Sequence, residues 1–242
     1  MKNTFGQNVT ITLFGESHGA AVGAVLDGIA AGLPADETFI AQRLTLRRPQ
    51  LASDTTRKEK DDFRILSGVK DGFTTGAPLT VIVPNEDIRS GDYEQIRNLP
   101  RPSHADYAAR IKYGGYEDYR GGGHFSGRVT AALVAAGAIL LQALENKGVI
   151  IGSHILSCGN VSDERYSLDP MSEIKNTKGK PFPVLNDNKQ EEMLAEIAAA
   201  AKNNDSIGGT VETAICGLPA GLGEPWFDSI ESMLSHLSLI HI

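Results

Sequence analysis

A serine and a histidine lie side by side between two glycines in the stretch Gly-Glu-Ser-His-Gly at residues 15–19. The stretch fits the Gly-x-Ser-x-Gly pattern of a hydrolase, in which Ser17 would be the nucleophile of an acyl transfer. That pattern needs a helix after the serine, and the glycine-rich sequence that follows disfavours one. Small neighbours on both sides let a ligand approach the ring of His18, which makes His18 a candidate acid or base. A glycine-bounded turn with an incidental histidine is the alternative.

A second histidine lies in the stretch Arg-Pro-Ser-His-Ala-Asp-Tyr at residues 101–107, just before a predicted helix. The proline stiffens this loop, and Asp106 is placed either to cap the helix or to orient the imidazole of His104. A helix cap with a solvated histidine fits the pattern equally well. His104 is therefore a second candidate for proton transfer, with that alternative open.

Three glycines precede a strongly apolar segment in the stretch Arg-Gly-Gly-Gly-His-Phe-Ser-Gly-Arg at residues 120–128. Backbone N–H groups at a helix start, glycines that allow close approach and two flanking arginines predict a phosphate cradle. No Gly-Lys-Ser/Thr follows, so the stretch is not a Walker loop, and no clear strand precedes it as in a dinucleotide fingerprint. At the end of an earlier predicted helix, Arg47 and Arg48 either bind an anion or offset the helix dipole.

The distribution of arginine places the predicted anion site in the first half of the chain. All arginines except Arg165 lie before residue 131. The planar guanidinium suits bidentate binding of phosphate or carboxylate, so a small anionic ligand is expected. A net charge of −7 and an aromatic content of 6% do not fit nucleic-acid binding, which needs a basic surface.

Length and composition predict a soluble, cytoplasmic protein with a large core. The chain has 242 residues, of which 41% are hydrophobic. Its two cysteines form no metal-binding spacing and suit a reducing compartment, so no metal site is expected. No targeting peptide is recognisable, and the longest apolar run, 131–141, is shorter than the roughly 20 residues of a membrane helix. We therefore expect no membrane partner.

Hydrophobic periodicity predicts the elements that must position these residues. Two predicted strands flank residues 15–19 and should form a hairpin around them. The predicted strands are 9–14, 21–29, 63–66, 79–83, 149–156 and 209–216. The predicted helices are one from 35 to 48, one after 105, one from the N-cap Ser126 to 144, one at 190–202 and one at 227–237. The segment 161–188 is predicted to be a polar excursion.

The three stretches, in this order and at these spacings, resemble the chorismate synthase family. They are residues 15–19, 101–107 and 119–128, the last reading Tyr-Arg-Gly-Gly-Gly-His-Phe-Ser-Gly-Arg. Agreement continues in the shorter stretches 74–78, 205–209 and 219–225, so that it covers nearly all of residues 1–236. The resemblance implies an α+β fold, a β-α-β sandwich of the chorismate synthase type, assembled as a homotetramer.

The resemblance also implies an activity. The family is a carbon–oxygen lyase acting on phosphates (EC 4.2.3.5), which removes phosphate from 5-enolpyruvylshikimate 3-phosphate in an anti 1,4-elimination during aromatic amino acid biosynthesis. It implies reduced FMN as the cofactor, with NADPH as a candidate electron source and a flavin reductase as a candidate partner. His18 and His104 match two family histidines proposed to protonate the leaving phosphate and the flavin.

Binding roles are implied in the same way. Cofactor contacts are implied for His124, Phe125, Ser126 and Ser17. Either Arg47 or Arg48 falls where the family binds the phosphate of the substrate or of NADPH, and the one-residue ambiguity comes from a shorter loop in this sequence.

Two departures from the family pattern carry expectations of their own. Ser53 and Asp54 stand where the family often has a basic residue, which would weaken one phosphate contact. Family sequences continue well beyond residue 237, whereas residues 238–242 do not match them. We therefore expect 1–237 to be the N-terminal part of a single family domain, incomplete at its C-terminus, and 238–242 to be a non-native tail. The chain as printed is expected to be inactive, and a non-enzymatic flavin- or anion-binding fragment is the alternative.

Overall fold

A computed structural model describes residues 2–51, 53–54, 59–86 and 99–238, and the chain in it divides into two compact units. The first comprises Met1–Arg48, Arg57–Ala143 and Gly221–Ile242, and the second comprises Pro49–Thr56 and Leu144–Ala220. Each contains helices and antiparallel sheet, which confirms the predicted α+β class. This division does not test the predicted single domain 1–237, and residues 239–242 of the predicted tail lie outside the described residues.

The first unit is built on a five-stranded antiparallel sheet. Its strands are β1 (Thr4–Gly6), β2 (Thr10–Gly15), β3 (Ala21–Asp27), β4 (Arg64–Ser67) and β7 (Leu79–Pro84), and a separate ribbon is formed by β5 (Val69–Lys70) and β6 (Phe73–Thr74). The strand order is β1-β2-β3-β7-β4. The predicted hairpin around residues 15–19 is confirmed by the pairing of β2 with β3. Strand β3 ends two residues before its predicted end, because Gly28 turns the chain with a φ of 79°.

Alternate residues of β3 and β7 supply one wall of the core of this unit. They are Val22, Ala24, Leu26, Leu79, Val81 and Val83, each 0% exposed. Helix α1 (Glu37–Arg47) adds Ile40 and Leu44. It begins two residues after its predicted start at 35, because Asp36 is the N-cap and its carboxylate accepts the N–H groups of Thr38 and Phe39. Burying each Leu or Ile side chain contributes about 1.5–3 kcal/mol, so this sheet is a firm support for the loops at its ends.

The most apolar helix of the chain, α3 (Thr130–Glu145), packs on this core. Ser126 is an N-cap as predicted, but it caps a 3₁₀ turn at Gly127–Val129, and the α-helix begins at Thr130, three residues later than expected. Among the described residues, 127–145 is a segment long and apolar enough to cross a membrane. Five of its alanines and Ile139 are buried in the core, as is typical of a core helix.

Two further helices complete the first unit. Helix α2 (Asp106–Tyr113) follows the second histidine stretch as predicted. The final helix, α6 (Ile230–Ser238), begins three residues later than predicted. Asp228 has a left-handed φ of 58°, which is incompatible with a continuing helix and explains the delay.

The second unit contains a three-stranded antiparallel sheet and two helices. The strands are β8 (Ile150–Cys158), β9 (Val161–Ser162) and β10 (Gly209–Cys216), in the order β10-β8-β9, and the helices are α4 (Met171–Thr177) and α5 (Asp187–Lys202). Strand β9 and helix α4 lie in the segment 161–188, for which the sequence predicted a polar excursion and no particular element. Helix α4 has seven residues and no side-chain cap, so it shows too little periodicity to be recognised.

Candidate active site

Ser17 and His18 lie in the turn that joins β2 to β3, and both side chains are buried although they belong to a loop. Ser17 is 7% exposed and His18 is 4% exposed. The turn closes on itself because the N–H of Gly19 donates to the carbonyl of Glu16 at 3.0 Å. The side-chain amide of Asn85 donates to the Glu16 carbonyl at 3.0 Å and to the Gly19 carbonyl at 2.8 Å. The turn that carries His18 is therefore fixed at both ends.

The position of Ser17 argues against the hydrolase interpretation. A nucleophile elbow places its serine between a strand and a helix, where the helix N-terminus stabilises the oxyanion. Ser17 instead lies between two antiparallel strands of one hairpin. The Gly-x-Ser-x-Gly match is therefore coincidental.

Residues 120–126 pack directly against the turn that carries His18. The N–H of Ser17 donates to the carbonyl of Gly123 at 3.0 Å. The Nδ1 atom of His124 lies 2.8 Å from the carbonyl oxygen of Gly15. Because a carbonyl oxygen only accepts, His124 carries a proton on Nδ1. Two stretches more than a hundred residues apart in the chain thus form one site.

Two of the three consecutive glycines at 121–123 leave no room for a side chain, and Gly121 is the one that the contact with His18 requires. All have positive φ, at 60°, 88° and 56°. A Cβ on Gly121 would stand 2.7 Å from Cδ2 and Nε2 of His18 and 2.8 Å from Oγ of Ser17. A Cβ on Gly123 would stand 2.0 Å from the carbonyl oxygen of Asp118. The backbone of this segment can lie against the ring of His18 only because it lacks side chains there.

The predicted phosphate cradle is not supported at its first arginine, which is already paired. Arg120 donates through Nε and Nη2 to the carboxylate of Asp118, at 2.8 Å and 2.7 Å. Burial alone would raise the pKa of Asp118, but the hydrogen bonds from Arg120 outweigh it and lower that pKa below its usual value. The same pairing raises the pKa of Arg120. A bidentate pair of this kind satisfies much of the donor fork that a ligand would need.

The second flanking arginine, Arg128, is also committed to protein groups. It is 8% exposed, and it donates to Oδ1 of Asn85 at 2.8 Å and to the carbonyl of Pro84 at 2.9 Å. Its Nη1 donates to the buried carboxylate of Asp61, and a carboxylate oxygen of Glu59 lies 3.5 Å from Nη2. Arg128 therefore ties the start of α3 to the end of β7 and is not available as an anion ligand.

The structure distinguishes between Arg47 and Arg48, which the sequence does not. Arg47 donates to Asp61 at 2.9 Å, to the carbonyl of Gly127 at 3.0 Å and to Oγ1 of Thr130 at 3.4 Å. The Nε atom of Arg48 is buried, and within the described part of the chain it has no hydrogen-bond partner. Of these two arginines, Arg47 is therefore committed to protein groups, and Arg48 is the one whose Nε has no partner among the described residues.

His104 lies on the exposed loop before α2, unlike the buried His18. Asp106 does not cap that helix, since the N-cap is Ala105 and has no side-chain hydrogen bond. Asp106 instead accepts from the guanidinium of Arg101 at 2.8 Å and 3.0 Å and from its backbone N–H at 3.1 Å. The hydrogen bond from the Arg101 side chain lowers the pKa of Asp106. Of the two predicted roles for Asp106, capping is wrong, and its observed role is to brace the loop that carries His104.

A cavity of about 290 Å³ lies next to the segments 15–19 and 120–126. Phe125 and Tyr113 are among its lining residues, and their rings are stacked with centroids 6.3 Å apart. His124 and Gly122 also line the cavity, whereas His18 and His104 are not among its lining residues. Its size is near the lower end of small-molecule pockets, and its aromatic lining residues suit a planar ring system.

The charges around this cavity suit a ring better than a phosphate. The lining includes four carboxylates, Glu16, Asp106, Glu117 and Asp118, and one arginine, Arg110. Arginines outside the lining pair with Asp106 and Asp118. One carboxylate oxygen of Glu117 is buried with no hydrogen-bond partner in the described ranges. An acidic lining repels a dianion and attracts hydrogen-bond donors.

One buried histidine was missed by the sequence analysis. His154 in the second unit is 0% exposed, with Nε2 3.0 Å from Glu212 and Nδ1 3.4 Å from Asp163. His154 and Glu212 are direct partners in the pairing of β8 with β10. The available signal was a polar residue, His154 or Glu212, within each of two predicted strands. The sequence does not give the register of these strands, so it could not show that the two residues are partners. The cluster joins neighbouring strands and stabilises the second unit.

Comparison with known proteins gives one consistent result. A family model described as chorismate synthase matches residues 9–240. A protein named chorismate synthase from Korarchaeum cryptofilum is 46% identical over 228 residues, which cover 94% of this chain and 63% of that protein. One of the same name from Thermococcus gammatolerans is 44% identical over 231 residues, covering 95% and 63%.

The solved structures agree with the sequence relatives. A structure titled "Crystal Structure of Chorismate Synthase" superimposes with a TM-score of 0.70 at 29% identity, covering 90% of this chain and 61% of that one. The chain therefore spans less than two thirds of the length of the relatives that it matches.

Proposed function

The chain belongs to the chorismate synthase family, and on that premise we propose that the protein converts 5-enolpyruvylshikimate 3-phosphate to chorismate with the aid of reduced FMN. In this reaction the C–O bond to phosphate breaks, a ring proton is lost and a new double bond forms. The observation that carries the proposal is the contact between the His18 turn and the glycines at 121–123, which unites the two family motifs around one buried imidazole.

His18 is proposed as the acid that protonates the departing phosphate. Its ring is 4% exposed and lies against the backbone of Gly121, so its position is set by rigid neighbours. A leaving phosphate carries developing negative charge, and proton donation by a positioned histidine typically accelerates such steps 10²–10⁴-fold. Arg48, whose Nε has no hydrogen-bond partner in the part of the chain that the structure describes, is proposed to bind a phosphate or carboxylate of the substrate, or the phosphate of NADPH.

His104 is proposed as the second proton-transfer group, acting at the flavin. It lies on the loop braced by Arg101 and Asp106, next to α2, and its exposed ring is accessible to a ligand. Within the described residues, Asp106 accepts its hydrogen bonds from Arg101, and the expected orienting hydrogen bond to the imidazole of His104 is not among them. His104 would therefore gain its orientation from bound cofactor or from another part of the family domain.

The residues of the cavity fit the ring system of FMN. Phe125 and the stacked Tyr113 offer aromatic rings, and His124 lies at the same cavity with its proton directed to Gly15. Ser126 and Ser17 lie in the same two segments, and the proposal keeps them as cofactor-binding residues. When bound, the flavin supplies an electron transiently and takes it back, with no net redox change. The acidic lining does not fit the FMN phosphate, which we place outside this cavity.

The proposal extends to the partners of the protein. A homotetramer, a cytoplasmic location and flavin reduction by NADPH, either in the protein or through a flavin reductase, follow from the family and remain proposals.

A turnover assay tests the function. The printed chain and a chain extended to the length of its relatives are incubated anaerobically with substrate and photoreduced FMN, and phosphate and chorismate are measured. We expect turnover from the extended chain and a loss of at least about 100-fold in kcat for His18→Ala. FMN binding without turnover by the extended chain would overturn the proposal and support a non-enzymatic binding protein.

A further inference from the structure

We propose that Asn85 is a positioning residue for His18, and this inference rests on the proposed role of His18 in proton transfer. Asn85 follows β7 directly and makes three hydrogen bonds to the turn between β2 and β3. Its side-chain Nδ2 donates to the carbonyls of Glu16 and Gly19, and its backbone N–H donates to the carbonyl of Ala20 at 3.1 Å. The bonds lie on both sides of His18, so one residue holds both ends of the turn.

The amide of Asn85 is itself held in one orientation. Its Oδ1 accepts from Nε of Arg128 at 2.8 Å. Rotating the amide by 180° would direct Oδ1 at two carbonyl oxygens and Nδ2 at a guanidinium, so the partners fix which atom is which. Arg128 is 8% exposed and is anchored in turn by Asp61 and by the carbonyl of Pro84. A continuous set of hydrogen bonds therefore runs from a buried ion pair to the His18 turn.

These hydrogen bonds matter because the glycines in the turn allow its backbone many conformations. Glycines stand at both of its ends, and Gly15 has a φ of 93° that few other residues adopt. Without the side-chain amide of Asn85, the turn would keep three backbone bonds, from Ser17 to Gly123, from Gly19 to Glu16 and from Asn85 to Ala20, and the contact of His124 with Gly15. The carbonyls of Glu16 and Gly19 would lose the donor that links them to each other. A misplacement of about 1 Å in a reacting group can cost about 100-fold in rate, so modest loosening would be seen in kcat.

The sharpest test is Asn85→Asp, which preserves size and shape. The carboxylate still accepts from Arg128, but it presents an oxygen to the carbonyls of Glu16 and Gly19 where two donors stood. We expect kcat of the extended enzyme to fall about 100-fold while the KM for substrate changes less than about threefold. In the printed chain, amide exchange at Ser17 and Gly19 should accelerate at least about tenfold, which is a readout independent of activity.

Thr74→Val is the matched control. Thr74 is 3% exposed and holds a different turn of the same unit, accepting from the Leu33 N–H at 2.9 Å and donating to the Ala30 carbonyl at 2.7 Å. The substitution should lower stability similarly, yet leave amide exchange at Ser17 unchanged and kcat within about twofold. If Asn85→Asp does not fold, Asn85→Ala replaces it, because it removes the side-chain donors without adding charge. The same changes in kcat, KM and amide exchange are expected.

The outcomes separate the inference from the function. If the extended wild-type enzyme turns over but Asn85→Asp matches Thr74→Val in both kcat and exchange, the positioning role is wrong. If the extended wild-type enzyme shows no turnover, the proposed function fails, and the exchange of Ser17 and Gly19 alone decides whether Asn85 holds the turn.

Discussion

The backbone of Gly121 lies so close to His18 that a Cβ on residue 121 would stand 2.7 Å from two atoms of the imidazole ring. The contact limits the positions open to the imidazole, and it depends on the absence of a side chain at Gly121. Two segments that are separate in the chain are thus in direct contact at His18.

Gly121→Ala should therefore displace His18. The new Cβ collides with the ring and with Oγ of Ser17, so we expect a loss of about 1–3 kcal/mol in the free energy of unfolding and altered NMR resonances of the His18 ring. Gly122→Ala is the control, because Gly122 has a φ of 88° but its Cβ would meet no atom closer than 3.6 Å. Equal effects of the two substitutions on the His18 resonances would show that backbone strain, and not the contact, is responsible.

Replacing Arg47 by alanine should mainly lower stability, whereas replacing Arg48 should mainly weaken substrate binding. Arg47→Ala takes a partner from the buried carboxylate of Asp61, so it should lower the free energy of unfolding by about 2–3 kcal/mol. Arg48→Ala should cost less than about 1 kcal/mol but weaken binding of the substrate about 10-fold or more. Chemical unfolding and calorimetric titration of the extended enzyme measure the two effects. Normal stability with lost binding in Arg47→Ala would reverse the assignment.

The sequence predicted the elements with strong periodicity and missed those that depend on tertiary contacts. The hairpin of β2 and β3 was predictable because apolar residues alternate on both sides of a glycine-rich turn. Helix α4 was not, because seven residues show barely two turns and a Pro170 N-cap carries no hydrogen-bonding side chain. The 3₁₀ turn between Ser126 and Thr130 was also missed, because an N-cap residue suits either kind of helix.

The candidate site divides in the same way. His18 and His104 were identified from their glycine- and proline-rich neighbours, and their catalytic roles stay predictions. The concentration of arginines in the first half of the chain predicted an anion site. The sequence could not show that Asp61 and Asp118 already pair with some of these arginines, because the fold brings the partners together. Asn85 has no motif of its own, and only the register of β3 against β7 brings it to the turn.

The loop that carries His104 should loosen in acid. Hydrogen bonds from Arg101 lower the pKa of Asp106, so the ionised carboxylate stabilises the folded loop at neutral pH. This contribution is complete above the ordinary carboxyl pKa of 3.8 and is lost as the pH falls through the lowered folded value. Asp106→Asn should cost about 1 kcal/mol at pH 7 and speed amide exchange at the start of α2.

Asp118→Asn is the control for Asp106→Asn. It breaks a similar bidentate pair, with Arg120, on a different segment. It should lower stability without affecting exchange at the start of α2. If Asp106→Asn leaves that exchange unchanged at pH 7, the pair does not brace the loop of His104.

The pair formed by His154 and Glu212 should make the second unit sensitive to acid. The hydrogen bond from His154, followed by the N–H of Tyr166, lowers the pKa of Glu212, while Asp163 faces the other ring nitrogen and Arg165 lies 3.8 Å from Glu212. A lowered folded pKa contributes stability above the ordinary value of 4.5, and this stability is lost as the pH falls through the folded value.

Glu212→Gln measures that contribution, because glutamine keeps an acceptor but carries no charge. We expect it to destabilise the second unit by about 1–2 kcal/mol at pH 7, read from amide exchange in β8 and β10, and the difference from wild type to shrink towards pH 3. Glu192→Gln removes a partly exposed ion pair with Lys189 on α5 and should change stability by less than about 0.5 kcal/mol. A Glu212→Gln penalty that stays constant from pH 7 to pH 3 would mean that the amide fits the site poorly, and that the charge of Glu212 does not stabilise the strand pair.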